Sequence, residues 1–452
     1  MIGQLKFFRV SRQRKMVDSV DDFYKWICGN KNLKTVTTPV DDFELVDIGM
    51  KCYGGDTAVY LKNHDLQVRM RRGLTFVRKA KEFQIARQGL PKFFDLDIPA
   101  IERPESSLVP ESSFPITIYN LEKLNGENAQ ISWSALLQRW IICSKNVAIA
   151  VHDLDHAREE FGSNQRFAYA LHIARHWFEK TVPGIKEMEK LKDLLSHHTL
   201  VGEVVDLSNA QHIVDNPVKH GLIFFAIVPK KPSGDNTPLC VLPNEAIPVF
   251  SRHGLQHVEV GESCTLDSRS DIGKLKTFVD QITIDKCDHP YVCLSEGSVV
   301  YATENGTGRV LFLAKVKTTK YRVLRRLREL MKRAASSDCL PGTKEESNMR
   351  NGYKQDVRKW GLDETVYLRL FDVANRTRVE GKWTESRIGN WYIEFLRECT
   401  SRCDTAAAIP APSIPVEMFQ HESELESSAS EDDNFAKQKT HGRRRNRNKK
   451  RN

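Results

Sequence analysis

The sequence predicts an α+β protein: a main domain of β strands with flanking helices, then a helical C-terminal module and a disordered tail. From about residue 46, segments such as "FPITIYNLEKL" show period-two alternation, or β-branched and aromatic enrichment, between Gly, Asn or Pro breaks. From Lys320 to about Cys403 the pattern is mostly helical. The linker "AAAIPAPSIPV" then leads into a charged, Ser-rich stretch with too few apolar residues to build a core.

These changes of pattern divide the chain into four predicted segments. Residues 1–45 are an N-terminal lead-in that contains the amphipathic helical stretch "VDDFYKWICGN". Residues 46–319 form the main domain, residues 320–403 a helical domain, and residues 404–452 a disordered tail that is first acidic and then basic. In the main domain we predict strands in "TAVYLKN" and "LQVRMRRGLTFV", then helices between about 155 and 200. Strands return in "LVGEVVDL", "GLIFFAIVPK", "VCLSEGSVVYAT" and "GRVLFLAKVKT".

Composition favours an intracellular protein, cytoplasmic or nuclear or both. No apolar run approaches the roughly 20 residues that span a bilayer, and the N-terminus lacks signal-peptide features, so we expect no membrane partner. The ten cysteines are scattered without a Cys-x-x-Cys pair, which favours reduced thiols. The closest spacings, Cys287 with Cys293 and Cys399 with Cys403, leave a metal site as the alternative.

The net charge of +9 is unevenly distributed. Residues 437–452 carry nine Lys or Arg and no acid, and residues 421–433 carry six acids, so the terminal segment nets about +3 and the body about +6. The basic end predicts nonspecific RNA affinity, with nuclear import as the alternative. "KYRVLRRLRELMKRA" is a basic amphipathic helix that either docks on the core with a solvated face or holds RNA phosphates.

Lys123 raises the first functional question, because it stands two residues before Asn125-Gly126 in "YNLEKLNGENAQISW". Asn-Gly is a strong hairpin signal since both residues accept positive φ cheaply, so the sequence predicts a tight turn beside this lysine. The lysine is then either a solvated surface charge or a nucleophile at the edge of a pocket.

Four later segments place charged residues among apolar strand residues. Such charges cost free energy unless they are paired or bind something. One pocket that holds a polyanion and a divalent ion would satisfy all of them. Lys315 and Lys317 are two apart, so both side chains leave the same side of a strand. The charged residues are Lys145 in "WIICSKNVAIAV", Glu203 in "LVGEVVDL", Glu296 in "LSEGSVVY", and Lys315 with Lys317 in "LFLAKVKT".

The order of these segments resembles the covalent nucleotidyltransferase superfamily of ATP-dependent ligases and capping enzymes. "KLNG" is similar to its Lys-x-(Asp/Asn)-Gly motif, and "SKN", "VGE", "IFFAIV", "SEG" and "KVK" follow where the later motifs fall. Upstream, "RRGLTF" and "LPKFFDLD" are similar to segments of the bacteriophage RNA ligase 1 family. The resemblance covers about residues 50 to 330. It implies a ligase-type nucleotidyltransferase domain of antiparallel sheets with flanking helices over residues 46–319.

The resemblance also implies roles for individual residues. Lys123 would attack the α-phosphorus of ATP, and Glu296 would hold Mg²⁺ (or Mn²⁺) or orient the lysine. Because a lysine amine is mostly protonated at neutral pH, the nucleophile needs neighbouring cations, and Lys315 and Lys317 would serve here and on the α-phosphate. The implied nucleotide contacts are Asn125 and Gly126 in the lysine motif, Glu203 on the ribose, Phe225 (alternatively Phe224) on adenine, Arg72 and Lys92 on the β- and γ-phosphates, and Lys145 near the nucleotide or the RNA 5′ end.

The activity implied by the resemblance is that of an ATP-dependent RNA ligase in RNA repair or processing. AMP would pass from Lys123 to an RNA 5′-phosphate, and a 3′-hydroxyl would attack the resulting RNA-adenylylate. No Gly-x-x-x-x-Gly-Lys-(Ser/Thr) motif occurs, so we expect separate end-healing enzymes as partners. The oligomeric state is left open.

Three alternatives accompany this interpretation. The same scaffold serves capping-type guanylyltransferases and DNA ligases, although "ENAQISW" lacks an early arginine found in many DNA ligases. A non-catalytic RNA-binding protein is disfavoured because the charged motif residues are all intact.

Two histidine pairs with helical spacing lie outside these motifs. "HDLDH" contains His152 and His156, and "LHIARHWF" contains His172 and His176. The zinc-protease form of such a motif needs Glu directly after the first His, which neither pair has. We therefore interpret both pairs as packing or capping residues.

Overall fold

The computed structural model describes residues 19–405, except 53–55, 97, 99–100, 102–108, 207–212, 215–218, 235–236, 285–288 and 338. Three antiparallel sheets with helices packed on them confirm the predicted α+β class. The predicted disordered tail, apart from its first two residues, lies outside the described residues, as does the start of the predicted lead-in. None of the described helices is both long and apolar enough to cross a membrane.

The first sheet begins inside the predicted lead-in and packs on the N-terminal helix α1 (Val20–Gly29). Ser19 caps this helix by accepting a hydrogen bond from the amide of Asp22, and the helix buries Phe23 and Ile27. Four strands pair in chain order, so the strand that starts at residue 33 shares a sheet with the later ones. They are β1 (Leu33–Val40), β2 (Phe43–Met50), β3 (Leu74–Lys79) and β4 (Glu82–Arg87).

Two segments predicted as strands are helical, and that part of the prediction is wrong. "TAVYLKN" contains α2 (Thr57–Leu61), and "LQVRM" lies largely within α3 (His64–Arg69). Asn63 starts the second helix because its side-chain oxygen accepts a hydrogen bond from the Leu66 amide. Tyr60 and Leu66 are buried in the core of the first sheet, so tertiary packing outweighs the strand preference of these aromatic and β-branched residues.

The remaining strands form two sheets that meet at the lysine segment. They are β5 (Ile116–Glu122), β6 (Glu127–Ser134), β7 (Arg139–Cys143), β8 (Ala148–Val151), β9 (His198–Val205), β10 (Gly221–Pro229), β11 (Val260–Leu266), β12 (Gly297–Glu304) and β13 (Arg309–Lys317). One sheet has the order β10-β9-β6-β7-β8 and the other β11-β5-β12-β13. Leu121, Val201 and Ile223 belong to the apolar cluster between them. Residues 123–126 therefore cross from one sheet to the other.

Helices cover the outer faces of these two sheets. The five-stranded sheet carries α4 (Leu154–Phe161), α5 (Ala168–Arg175), α6 (Met188–His197) and α7 (Pro243–His253). A π-helical turn, His176–Thr181, continues α5 and buries Trp177 in the same core. The four-stranded sheet carries α8 (Ile272–Thr283). The helices predicted between about 155 and 200 are thus present.

The C-terminal helices share their core with residues from the rest of the chain. They are α9 (Thr319–Ser336), α10 (Lys344–Lys359), α11 (Glu364–Thr377), α12 (Glu385–Asn390) and α13 (Tyr392–Thr405). The predicted apolar stripe of α9, which includes Tyr321, Leu324 and Leu327, is buried in this core. Ile213, Val214, Tyr291 and Cys293 pack into the same cluster. Its residues are therefore contributed from both sides of the predicted boundary at residue 320.

The basic face of α9 is partly neutralised by carboxylates. Arg322 lies 3.5 Å from Asp95, and Arg326 donates to Asp356 at 2.8 Å. Arg328 is buried and pairs with its neighbour on the helix. Several of the arginines expected to meet RNA phosphates thus have acidic partners, and RNA binding by this helix stays a prediction.

The alternative of a cysteine metal site has no support among the described residues. Cys399 and Cys403 are buried in the C-terminal core, and Cys287 lies outside the described residues. Within the part of the chain that the structure describes, no candidate group of metal ligands includes a cysteine.

Candidate active site

Lys123 follows β5 directly and points at a buried carboxylate. Its backbone amide donates to the Gly297 carbonyl at 2.9 Å, which ties it to the start of β12. Its Nζ lies 3.0 Å from Oε1 of Glu296 and donates to the Leu124 carbonyl at 3.2 Å. The amine is mostly shielded from solvent, and the adjacent carboxylate favours its charged form. The resemblance implied cations around this lysine and Glu296 as a carboxylate that holds the metal or orients the amine; in the structure Glu296 contacts the amine directly.

The Asn125-Gly126 pair does not form the predicted hairpin turn. The strands on either side belong to different sheets, and neither residue has positive φ. Gly126 is required for a different reason, because a Cβ there would lie 2.6 Å from the Val204 carbonyl oxygen. Its amide donates to Oε2 of Glu203 at 2.9 Å. The glycine thus permits a close approach to β9, where Glu203 is placed.

The side chain of Asn125 joins three parts of the site. Its amide nitrogen donates to Oε2 of Glu296 at 3.2 Å and to the Tyr321 hydroxyl at 3.3 Å. Its oxygen accepts from the backbone amides of Ile213 at 2.8 Å and Val214 at 3.1 Å. Residues 123–126, which we call the lysine loop, are therefore fixed to the start of β12, to α9 and to the chain that follows β9.

Glu296 is the most enclosed charged group of the site, with 3% of its surface exposed. It precedes β12 rather than lying within it, and Gly297 has a φ of 130°, a value that glycine readily adopts. Besides Lys123, Oε1 of Glu296 lies 3.4 Å from Nζ of Lys317. Both carboxylate oxygens therefore face protein donors.

Lys315 and Lys317 leave the same side of β13, while Ala314 and Val316 pack into the core on its other side. Burial, and next the charge of Lys317, lower the pKa of Lys315 to about 8. The same lowering includes contributions from Lys123 and Lys92. The site therefore concentrates positive charge within a short range of Lys315.

A second group of cations surrounds an aspartate that the sequence analysis did not single out. Nζ of Lys92 lies 2.7 Å from Oδ1 of Asp56, and a guanidinium nitrogen of Arg72 lies 3.2 Å from its Oδ2. Burial opposes ionisation of Asp56, yet Arg72 and Lys92 hold the pKa of this carboxyl below its ordinary value. Lys145, in the turn after β7, acts on Asp56 in the same direction. No local pattern around Asp56 signals this position.

The two cation groups are neighbours because of backbone pairing. The amide of Lys315 donates to the Phe94 carbonyl at 2.8 Å, and the amide of Leu96 donates to the Lys315 carbonyl at 2.9 Å. The segment that begins at Lys92 therefore runs alongside β13. Phe93, next to Lys92, lies with its ring 5.9 Å from Nζ of Lys315.

Glu203 and Phe225 lie on β9 and β10, in the five-stranded sheet. Glu203 stands between Val201 and Val205 on the face of β9 that contributes both to the inter-sheet cluster, and Phe225 packs against that cluster. Phe225 is only partly buried and sits at a β-bulge of β10, whereas Phe224 is fully buried against Trp177. Of the two phenylalanines considered for adenine stacking, Phe225 is the accessible one.

The family follows from the comparison with known proteins. Residues 70–321, more than half of the chain, match the RNA ligase family. The chain belongs to the RNA ligase family. This membership confirms the resemblance deduced from the order of the motifs, and the matched range of the ligase runs from the helix before Arg72 to the first turn of α9.

Solved structures of several ligases resemble this family member distantly. An archaeal ATP-dependent RNA ligase (form 1) shares 11% identity at a TM-score of 0.42, over 83% of this chain and 77% of that chain. A putative ATP-dependent DNA ligase from Aquifex aeolicus shares 14% identity at a TM-score of 0.38, over 85% and 78%. A Naegleria gruberi RNA ligase with PPi shares 14% identity at a TM-score of 0.29, over 64% and 96%. No curated protein sequence gives a significant match.

The "HDLDH" segment has a structural role in this ligase. Asp153 caps α4 by accepting from the His156 amide at 2.8 Å. Nε2 of His152 accepts a hydrogen bond from Arg139 at 3.0 Å. These contacts agree with the interpretation of the segment as a helix cap.

Proposed function

We propose that this protein is an ATP-dependent RNA ligase that joins RNA 5′-phosphate and 3′-hydroxyl ends through lysyl-AMP and RNA-adenylylate. The observation that carries the proposal is the position of Lys123. It is a partly buried amine in contact with Glu296, next to two groups of cations, at the point where two sheets meet. A nucleophile for a triphosphate needs this combination of an oriented amine and positive charge around the phosphates.

In the first proposed step, the neutral amine of Lys123 attacks the α-phosphorus of ATP. The N–P bond forms while the bond to the pyrophosphate oxygen breaks, and the nitrogen loses a proton. Lys315 and Lys317 neutralise the charge that builds on the α-phosphate. Arg72 and Lys92 bind the β- and γ-phosphates, which replace the carboxylate of Asp56.

The rest of the nucleotide is held by the lysine loop and the opposite strands. Phe225 offers an accessible aromatic ring for adenine. Glu203 accepts from the ribose hydroxyls while it also holds the Gly126 amide, since a carboxylate has about four lone-pair positions. Asn125 fixes the loop, and Lys145 neutralises either the nucleotide or the RNA 5′-phosphate.

The carboxylates fit a hydrated Mg²⁺ or Mn²⁺ better than a directly bound ion. Both oxygens of Glu296 are already within reach of donors from Lys123, Lys317 and Asn125. Mg²⁺ usually keeps several of its waters, which donate hydrogen bonds to carboxylates. When bound, the ion supplies positive charge on the phosphates of ATP.

The two later steps transfer AMP and seal the strand. An oxygen of the RNA 5′-phosphate attacks the AMP phosphorus, the N–P bond breaks, and Lys123 regains its proton. A 3′-hydroxyl then attacks the RNA phosphorus, AMP leaves, and the hydroxyl proton is released. We expect end-healing enzymes to supply suitable ends where RNA is damaged, in RNA repair or processing.

Labelling with radioactive ATP tests the first step. The wild-type protein is expected to form an acid-stable lysyl-AMP adduct with ATP and Mg²⁺, and Lys123→Ala is expected to form none. Lys190→Ala is the matched control, because this lysine is a solvent-exposed residue of α6. Wild-type labelling of Lys123→Ala would contradict the assignment, and labelling by GTP in place of ATP would indicate a capping-type guanylyltransferase.

Joining assays test the substrate. We expect a 5′-phosphorylated RNA with a 3′-hydroxyl to circularise, and a DNA strand of the same sequence to remain linear. Sealing of the DNA alone would exclude the RNA assignment while leaving the lysyl-AMP step intact. Adduct formation with no joining of either strand would indicate that only the adenylylation half of the proposal is correct.

A further inference from the structure

A cluster of two histidines and an aspartate lies beside the proposed nucleotide site and has no part in the proposed reaction. His172, near the end of α5, and His176, at the start of the π-helical turn, stand four residues apart with ring centroids separated by 4.8 Å. Asp206 follows β9 directly. Its Oδ2 lies 3.8 Å from Nε2 of His172 and 3.7 Å from Nε2 of His176. Three potential ligand atoms therefore converge from two elements that are distant in sequence.

The distances among these atoms exceed those of ordinary hydrogen bonds, which are about 2.7–3.2 Å. Ligand atoms around one tetrahedral ion, with bonds of ~2.0 Å, lie roughly 3.3 Å apart, so the two His–Asp distances would have to contract by about half an ångström and the widest pair by more. The ligand atoms of this cluster all lie within 4.8 Å of one another.

Both histidines of the cluster are shielded from solvent to some degree. The side chain of His176 is 6% exposed, and that of His172 is partly buried. Within the described part of the chain, neither Nε2 of His172 nor Nδ1 of His176 has a hydrogen-bond partner, although both atoms are buried. A buried imidazole nitrogen without a partner is costly unless something else binds there, and of these two atoms Nε2 of His172 is the one that faces Asp206.

We propose that His172, His176 and Asp206 form a binding site for a divalent transition-metal ion, with Zn²⁺ as the expected occupant. Two imidazoles and one carboxylate are ligands that Zn²⁺ accepts readily, whereas Mg²⁺ prefers oxygen alone. Partial exposure of Asp206 leaves room for a water as the fourth ligand. This site is separate from the one proposed for the ion that accompanies ATP.

The position of the cluster indicates what the ion does. The ring of Tyr169 stacks on His172 at 5.8 Å. Glu127, Glu203 and Asp206 lie close enough to Tyr169 for their charges to act on its hydroxyl, so this tyrosine lies beside acidic side chains of β6 and β9. The ion would brace the end of β9, which carries Glu203, against α5. It would thereby fix the end of the strand that precedes Ile213 and Val214, whose backbone amides donate to Asn125.

Titration with Co²⁺ tests the site, because tetrahedral Co²⁺ with imidazole ligands absorbs visible light far more strongly than Co²⁺ in an all-oxygen site. The full-length protein, freed of metal with a chelator and without nucleotide, is expected to develop this absorption and to saturate at one ion per chain. Zn²⁺ should abolish the absorption by displacement and should raise the midpoint of thermal unfolding.

Variants distinguish this site from adventitious binding. His176→Gln and, as a milder change, Asp206→Asn are expected to lose the absorption and the Zn²⁺-dependent rise in melting temperature, with circular dichroism confirming their fold. His156→Gln is the matched control, because it alters the other helical histidine pair. Absorption that persists in both His176→Gln and Asp206→Asn, or its absence from the wild type, would overturn the proposal. Because no ATP is added, the outcome does not depend on the ligase assignment.

Discussion

Asp56 holds the two cations that the proposed reaction assigns to the outer phosphates of ATP. Its carboxylate bridges Arg72 and Lys92 at 3.2 and 2.7 Å, and all three groups are largely shielded from water. A carboxylate and a phosphate bind such cations through the same kind of charge-assisted hydrogen bond. In the absence of nucleotide, Asp56 therefore keeps the cations ordered and compensates their charge. In the proposed reaction, the phosphates of ATP displace this carboxylate.

Replacing Asp56 with Asn should strengthen the first step and weaken the fold. Loss of the competing charge is expected to lower the apparent KM for ATP in lysyl-AMP formation by about ten-fold, the equivalent of ~1.4 kcal/mol. The melting temperature should fall because two partly buried cations lose their partner. Joining of chemically pre-adenylylated RNA should be unchanged, since that substrate carries no β- or γ-phosphate.

The exposed Asp42→Asn serves as the control for Asp56→Asn. An equal loss of ATP-dependent labelling and of joining with pre-adenylylated RNA would instead place Asp56 in the general architecture of the cleft.

Among the individual residues of the candidate site, the sequence identified those that belong to motifs and missed those that do not. The motif residues from Lys123 to Lys317 are recognisable by their neighbours in the sequence. The structure brings Lys123 and Lys317 into contact with Glu296. Asp56 has no such neighbours, because only the fold brings it to Arg72 and Lys92. The sequence named Phe225 ahead of Phe224 from alternation along the strand, and it could not show the β-bulge at which Phe225 lies.

The lysine loop and helix α9 are linked through one amide side chain. Asn125 donates to the hydroxyl of Tyr321 and to Glu296, and Nζ of Lys317 lies 5.2 Å from the centroid of the Tyr321 ring. Tyr321 is buried, so the sequence pattern presents it only as part of the apolar stripe of α9. We expect it to act as a positioning residue, since its contacts are to Asn125 and Lys317.

Tyr321→Phe should slow lysyl-AMP formation about ten-fold with little change in the apparent KM for ATP, because one buried hydrogen bond is lost and the ring is kept. Rapid-quench measurement of adduct formation at saturating ATP gives the rate. Tyr353→Phe is the matched control: Tyr353 lies in the same core, and its hydroxyl has no hydrogen-bond partner within the described residues. Equal effects of the two changes would mean that only core stability is involved.

Helices and strands could be predicted where a long periodic pattern marks them. The predictions failed where tertiary contacts decide the local structure. The helices around residues 155–200 and the strands that carry Glu203, Lys315 and Lys317 were identified correctly, because each buries one regular face. Lys145 and Glu296, predicted within strands, lie in a turn and just before a strand. "TAVYLKN" was wrong because a five-residue helix has too few turns to show a period. The hairpin at Asn125-Gly126 was wrong because Gly126 serves a close backbone approach rather than a turn.

For the whole molecule, the C-terminal helices and the remainder of the chain depend on each other. Ile213, Val214, Tyr291 and Cys293 are buried in the core of the C-terminal helices. Fully burying a large apolar side chain contributes about 1.5–3 kcal/mol, so this contact alone is comparable with the free energy of unfolding of a typical domain, about 5–15 kcal/mol. The sequence marked residue 320 as the start of a new pattern and could not indicate that the packing crosses it.

A chain shortened to residues 1–318 should therefore aggregate or unfold at a much lower temperature than the intact protein. A chain shortened to residues 1–405, which lacks only the charged tail, is expected to melt normally and to form the lysyl-AMP adduct. Differential scanning calorimetry and the adduct assay on both forms provide the comparison. A stable and active 1–318 form would show that the helical module is dispensable.

The shared core also limits how such proteins can be recombined. Exchanging the C-terminal helices of two family members at residue 320 would place one protein's helices on the other's Ile213, Val214, Tyr291 and Cys293, and would separate Tyr321 from its hydrogen-bond partner Asn125. A viable chimaera must therefore carry residues 213–214 and 291–293 along with the helices. Any substrate specificity of the C-terminal helices would then be transferred together with residues 213–214, whose amides hold Asn125 beside the proposed nucleophile.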